Sequence, residues 1–180
     1  MKSTLAFFVI ALTAAAAAIA AEPTPVQNDA FSLTLPTGFG QFAKTTQSVP
    51  SKNGKKTDVT TWISDSPTGE KIIVVQSVLP GKVDDASKLF SSARDGMVNG
   101  QHLTLDNDQK VNDTTEMLNF HGGTKFLRSR FVLVGGDHFY QVFYLGNSAD
   151  QRDNPTVSAM FDSFTPANAQ PVAQATTTSH

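Results

Sequence analysis

The residues with chemistry to offer are few and widely spaced. Four histidines stand at 102, 121, 138 and 180, and there is no cysteine. Thiol catalysis, disulfide staples and cysteine-based metal sites are therefore excluded. Asp113, Glu116, Asp137 and His138 make up the one acid/histidine set that chain topology can gather. If 115–121 pairs with 125–134 as neighbouring strands, Asp113 and Glu116 reach the end of the sheet that holds the turn at Asp137 and His138. Such a set could pair a histidine with a carboxylate or bind a metal weakly. His121 falls at the opposite end of the same strands. Some ten residues at about 3.3 Å each separate it from His138, too far to share an ion.

Other motifs fail on a required position. Asp106-Asn-Asp108-Gln-Lys110-Val111 begins like a calcium loop, but Lys110 stands where an oxygen ligand is needed and Val111 where glycine is needed. His121-Gly-Gly123 resembles an esterase oxyanion loop without any Gly-x-Ser-x-Gly elbow. Gly54-Lys-Lys-Thr lacks the earlier glycine of a phosphate loop. Arg128 and Arg130 are the unexplained polar pair. Two apart in an apolar strand, they share a face. They either pair at the sheet margin or present a patch to an acidic partner.

The elements that must position these groups centre on Lys125–Gly146. This stretch reads as two long strands joined at Gly135-Gly136-Asp137, with glycines suited to a tight turn. A two-residue loop would place Phe131 and Leu133 with Tyr140, Val142 and Tyr144, and Val132 with Phe139 and Phe143. A three-residue loop re-pairs those sets. In either register both faces are apolar, Phe143 among the core candidates, so the sheet needs cover on both sides.

Around it, Phe31–Leu35 alternates as a half-buried strand, and Phe39 and Phe42 point back to the core. Two strands, 41–49 and 56–64, flank the hairpin signal Asn53-Gly54, with Lys52, Lys55 and Lys56 at its tip and Trp62 on the return strand. Residues 72–79 form an interior strand. Asp84 can cap a helix whose stripe is Ala86, Leu89, Phe90, Ala93 and Met97, ending near Gly100. Lys88, Ser91, Arg94 and Asp95 then face water. Leu103 and Leu105 suggest a short strand, Asp106–Asp113 a polar loop, and 115–121 a further strand. Asn154-Pro155 opens a second helix carrying Val157, Met160, Phe161 and Phe164. This order predicts an α+β domain, a twisted antiparallel sheet with helices packed on its faces.

The 180-residue chain suits one domain with appendages. Residues 1–20 read as a signal peptide: Lys2, then an apolar run from Leu5 to Ile19, then Ala18-Ile19-Ala20, with cleavage between Ala20 and Ala21. A flexible lead-in at 21–29, the domain at 30–165 and a disordered polar tail at 166–180 complete the organisation. The formal charge of −2 argues against nucleic-acid binding. A periplasmic or secreted protein with no stable membrane insertion after cleavage is expected.

The motif Phe31-x-Leu33-x-Leu35-Pro36-x-Gly38-Phe39 resembles the start of the Mog1/PsbP-like superfamily. Gly136-x-His138-Phe139-Tyr140-Gln141-Val142-Phe143-Tyr144, followed by a helix bearing Phe161-x-x-Phe164, is similar to its end. The resemblance spans roughly 30–165. It implies a twisted antiparallel sheet between helices and an accessory or binding role, with no catalytic motif and no cofactor to carry over. The resulting expectation is a non-enzymatic exported module that binds an envelope or secreted protein, with Arg128, Arg130, Asp113, Asp137 and His138 as candidate binding residues. Two alternatives stand beside it: a hydrolase or metal-dependent enzyme built around His138, and a small-ligand carrier.

Overall fold

The register of the central hairpin decides which side chains meet. In the computed structural model, which describes residues 22–50 and 56–167, strand β8 (Lys125–Val134) pairs with β9 (His138–Gly146). Val134 faces His138, so the loop holds three residues. Gly135 and Gly136 both take positive φ, 63° and 81°, where a side chain would be strained. Leu133 therefore lies beside Phe139 and Val132 beside Tyr140. One face carries Phe131, Leu133, Phe139 and Phe143, and the other carries Val132, Tyr140, Val142 and Tyr144.

The hairpin is the middle of a seven-stranded antiparallel sheet. The remaining strands are β3 (Ala43–Pro50), β4 (Lys56–Asp65), β5 (Lys71–Val78), β6 (Thr104–Asn112) and β7 (Thr115–Gly122). Their order is β3-β4-β5-β9-β8-β7-β6. Helix α1 (Ala86–Asp95) continues through a π-helical turn to Gly100 and covers the Phe131 face through Ala86 and Phe90. The opposite face receives α3 (Pro155–Ser163) through Val157, Met160 and Phe161. A second sheet lies on that face too. It pairs β2 (Phe31–Leu35) with β1 (Thr24–Gln27) on one edge and β10 (Thr165–Pro166) on the other. Phe31, Leu33 and Leu35 reach the core from β2, and Phe31 meets Trp62 edge-on at 5.1 Å. The two-sided apolar pattern is thus satisfied by α1 on one side and by α3 with the small sheet on the other.

Several local expectations need correction. Asp85, one residue later than Asp84, caps α1 by accepting from the Ser87 N–H at 3.0 Å. Part of the expected flexible lead-in is strand β1, and the start of the expected tail is β10 with Pro166 buried, because β2 offers a free edge on each side. Residues 106–112, expected as loop, belong to β6, whose pairing with β7 carries two irregularities. An edge strand wetted on both faces has no apolar alternation to betray it. A short helix α2 (Ala149–Arg152), capped by Ser148, also went unanticipated. The expected leader with its Ala20/Ala21 junction, the Asn53-Gly54 tip with Lys52 and Lys55, and the tail from residue 168 lie outside the described residues.

Candidate functional site

His138 opens β9 in register with Val134 and Val78, on the face that carries Tyr140. Its Nδ1 lies 2.8 Å from Asp137 Oδ1. That hydrogen bond holds the Asp137 carboxyl below its usual range. The turn is tied down by backbone: Leu79 N–H donates to the Asp137 carbonyl at 2.8 Å, and Val83 N–H to that of Gly136 at 2.7 Å. Glu116 is in register with Phe131 and so faces α1, the opposite side of the sheet. Asp113 is solvent-exposed and accepts from Lys110 Nζ at 2.7 Å. The strand β8 stands between β7 and β9, about 10 Å of sheet. Asp113 thus lies in the β6–β7 turn, Asp137 in the hairpin loop, and Glu116 and His138 on opposite faces of the sheet, and no hydrogen bond joins Asp113 or Glu116 to His138.

Arg128 and Arg130 share a face as their spacing requires, in register with Tyr144 and Val142. Both guanidinium groups reach α3. Arg128 donates to Ser158 Oγ at 2.8 Å and lies 5.4 Å from the Phe161 ring centroid. Arg130 donates to the Phe161 carbonyl in the last turn of α3, which also accepts from the Phe164 N–H at 3.3 Å. Burial lowers the Arg130 pKa, with Asp162 opposing.

The concave feature of interest opens between α1, β6 and β7. It is a cleft of about 500 Å³, lined among others by Asp85, Phe90, Arg94, Asp108, Asp113 and Glu116. The first turn of α1 forms one wall and β6 the other. Glu116 is buried, at 8% exposure, although a lone carboxylate is costly to bury. Its Oε1 lies 3.4 Å from Arg94 Nη1, and Asp108 is bonded to the same nitrogen. One guanidinium thus serves two carboxylates. Burial, followed by a hydrogen bond and repulsion from Asp108, pushes the Glu116 carboxyl up to about 7, against the pull of Arg94. The α1 periodicity placed Arg94 in water; the paired strand β6 brings the carboxylates that recruit it. The cleft holds serines 87 and 91 but no histidine to activate them. What it can do is accept a cation or hydrogen-bond donors.

Sequence reasoning missed a second ionic cluster. Arg152 of α2 is buried, donates to Asp106 and Asp153, and lies over the Phe126 ring at 5.8 Å. His121 Nδ1 approaches the other oxygen of Asp106 at 2.5 Å. Burial pushes the Asp106 carboxyl up, but the hydrogen bonds from Arg152 and His121 outweigh it and hold the group low. These contacts fasten α2 to β6 and β7. The signal was absent because Asp106 sat in an assumed loop and α2 is a single turn.

Comparison with known proteins bears on the fold. No protein-family model and no curated protein matches the chain. The solution structure of cyanobacterial PsbP (CyanoP) from Synechocystis sp. PCC 6803 does superpose, with a TM-score of 0.50. The alignment covers 84% of this chain and 95% of that one at 14% identity. The fold is PsbP-like. An antiparallel sheet with helices on its faces is what the Phe31–Phe39 and Gly136–Tyr144 motifs implied. At this identity the likeness speaks for architecture alone. Among the described residues, no helix is long and apolar enough to cross a membrane.

Proposed function

We propose that this protein is an exported, non-enzymatic accessory module that docks a basic segment of an envelope or secreted protein in the cleft between α1, β6 and β7. The observation that carries the reading is the sharing of Arg94 by Glu116 and Asp108. With Glu116 ionised, two carboxylates share one guanidinium and leave a negative excess in a partly buried site; Asp84 and Asp85 add to it at the mouth, beside the Lys110–Asp113 pair. An incoming lysine or arginine completes the pairing. A charge-assisted bond of this kind is worth more where water is partly excluded. The accessory role agrees with what a PsbP-like fold implies, and export agrees with the leader-like residues 1–20. In this reading Arg128 and Arg130 hold α3 in place, and Asp137 with His138 secures the hairpin turn. The hydrolase or metal-enzyme alternative finds no support among the described residues: His138 meets only Asp137, while Glu116 lies on the opposite face and Asp113 pairs with Lys110.

Two experiments test the reading. Cell fractionation with N-terminal sequencing of the product should find the protein outside the cytoplasm and beginning at Ala21. A cytoplasmic product that retains Met1–Ala20 contradicts export. Capture of envelope proteins on the purified chain should depend on Asp108. Capture unaffected by Asp108→Lys contradicts the cleft.

A further inference from the structure

The two edges of the seven-stranded sheet are built differently. At one edge, β6 carries Asp106, Asp108 and Lys110, and its pairing with β7 is broken by shifts at Leu105/Asn107 and Lys110/Asn112. Charges and bulges of this kind keep an edge from pairing with another chain. At the other edge, β3 pairs with β4 without interruption from Ala43↔Ile63 to Pro50↔Lys56, and all eight of its residues are exposed. Residues 45–49 read Thr-Thr-Gln-Ser-Val, with no charge among them. The outward N–H and C=O groups of such an uninterrupted edge, uncharged between Lys44 and Pro50, form a template for another strand.

We propose that two copies of this chain pair through β3, antiparallel about Thr46, and extend the sheet across a two-fold axis. Three features select a second copy as the occupant and Thr46 as the centre. Backbone groups of successive strand residues point alternately inward and outward, so a symmetric antiparallel pair must centre on a residue rather than between two. Pro50 has no N–H to give, and centring on Thr46 leaves it outside a ladder running from Ala43 to Val49. The charges then match. Lys44, Thr46 and Ser48 lie on one face, in register with Trp62, Thr60 and Asp58. Pairing about Thr46 sets Lys44 of one copy beside Ser48 of the other, two strand spacings or about 10 Å from Asp58. Ser48 donates to one oxygen of Asp58 in its own copy, and its small side chain leaves the other oxygen to Lys44, which swings from its place 5.6 Å from the Trp62 ring, twice per dimer. On the other face Val49, which is 40% exposed, is covered by Ala43 of the second copy. The Thr46 and Thr60 hydroxyls, 3.1 Å apart in one copy, become a four-residue row across the axis.

The test uses the full chain, expressed and purified. Light scattering behind size exclusion should give twice the monomer mass at high micromolar concentration. The chain has no cysteine, so Thr46→Cys reports the register directly. Facing Cα atoms in an antiparallel pair lie about 4.5–5.5 Å apart, within disulfide reach. Mild oxidation should therefore link Thr46→Cys into a dimer well ahead of Thr68→Cys on an exposed turn. Lys44→Glu and Asp58→Lys should each weaken dimerisation about tenfold, and the double variant should restore it, since both partners are then reversed. Circular dichroism checks that each variant is folded. A monomer at high micromolar concentration overturns the proposal. So does a dimer that ignores the charge reversals and links no faster through residue 46 than through residue 68.

Discussion

Glu116 lies on the cleft floor 3.4 Å from the guanidinium of Arg94, which also holds Asp108. The arrangement keeps a carboxyl group buried at the edge of the second core, two residues along β7 from buried Leu118 and directly across from buried Phe131 on β8. It sets both the electrostatics of the cleft and a pH dependence of the fold.

Because the Glu116 carboxyl is raised to about 7 from the usual 4.5, its protonated form is favoured by folding. The associated stability is fully present below about pH 4.5 and is lost as pH rises through about 7. Urea unfolding should therefore show Glu116 contributing on the order of 1–3 kcal/mol more at pH 5 than at pH 8. Glu116→Gln should remove that difference while leaving the slopes due to other groups. Carboxylates held low, such as Asp106 and Glu70, lose their contributions only as pH falls below about 4. An unchanged pH profile in Glu116→Gln would show that the carboxyl is ionised throughout.

Arg130 donates to the Phe161 carbonyl at the end of α3, which otherwise accepts only the 3.3 Å bond from the Phe164 N–H. Arg130→Ala should cost about 1–3 kcal/mol in chemical denaturation, since it removes a charge-assisted hydrogen bond to the Phe161 carbonyl and packing against α3. Arg130→Lys should recover part of the loss. A cost indistinguishable from zero would mean that α3 is held by Val157, Met160 and Phe161 alone.

The three-residue hairpin loop distinguishes two phenylalanines. Phe131 is fully buried and lies 5.9 Å from Phe90 and 5.6 Å from Phe139 between ring centroids. Phe143 is half-buried at the margin of the same cluster. Phe131→Ala should cost about 3–5 kcal/mol and Phe143→Ala about 1–2 kcal/mol, measured by urea denaturation. The reverse order would contradict the register Val134↔His138.

How much of this was legible in the chain follows from what each signal measures. Periodicity found the apolar strands β2, β5, β8 and β9 and both long helices, because each buries a face. The Asn154-Pro155 cap was readable because its chemistry is local. The strands β1 and β10 and all of β6 beyond its start at Leu105 were missed because their reasons are the neighbouring edges, not their own side chains. The candidate site shows the same divide. Topology correctly put Asp113 and the 137–138 turn toward one end of the sheet, but strand order placed β8 between them and side-chain alternation placed Glu116 and His138 on opposite faces. Arg94 looked like a solvated helix residue until β6, taken for a loop, supplied Asp108 beside it.

In the proposed function, the cleft around Glu116 and Asp108 receives a basic segment of a protein partner. The most direct measurement is quantitative capture from an envelope extract on the purified wild-type chain, Asp108→Lys, Asp113→Lys and the distant control Asp65→Lys, each first shown to be folded. Wild type and Asp65→Lys should enrich the same protein, with retention falling as salt rises, and the two cleft variants should retain about tenfold less. Equal retention by all four chains, or no enrichment by the wild type under mild salt, would contradict it.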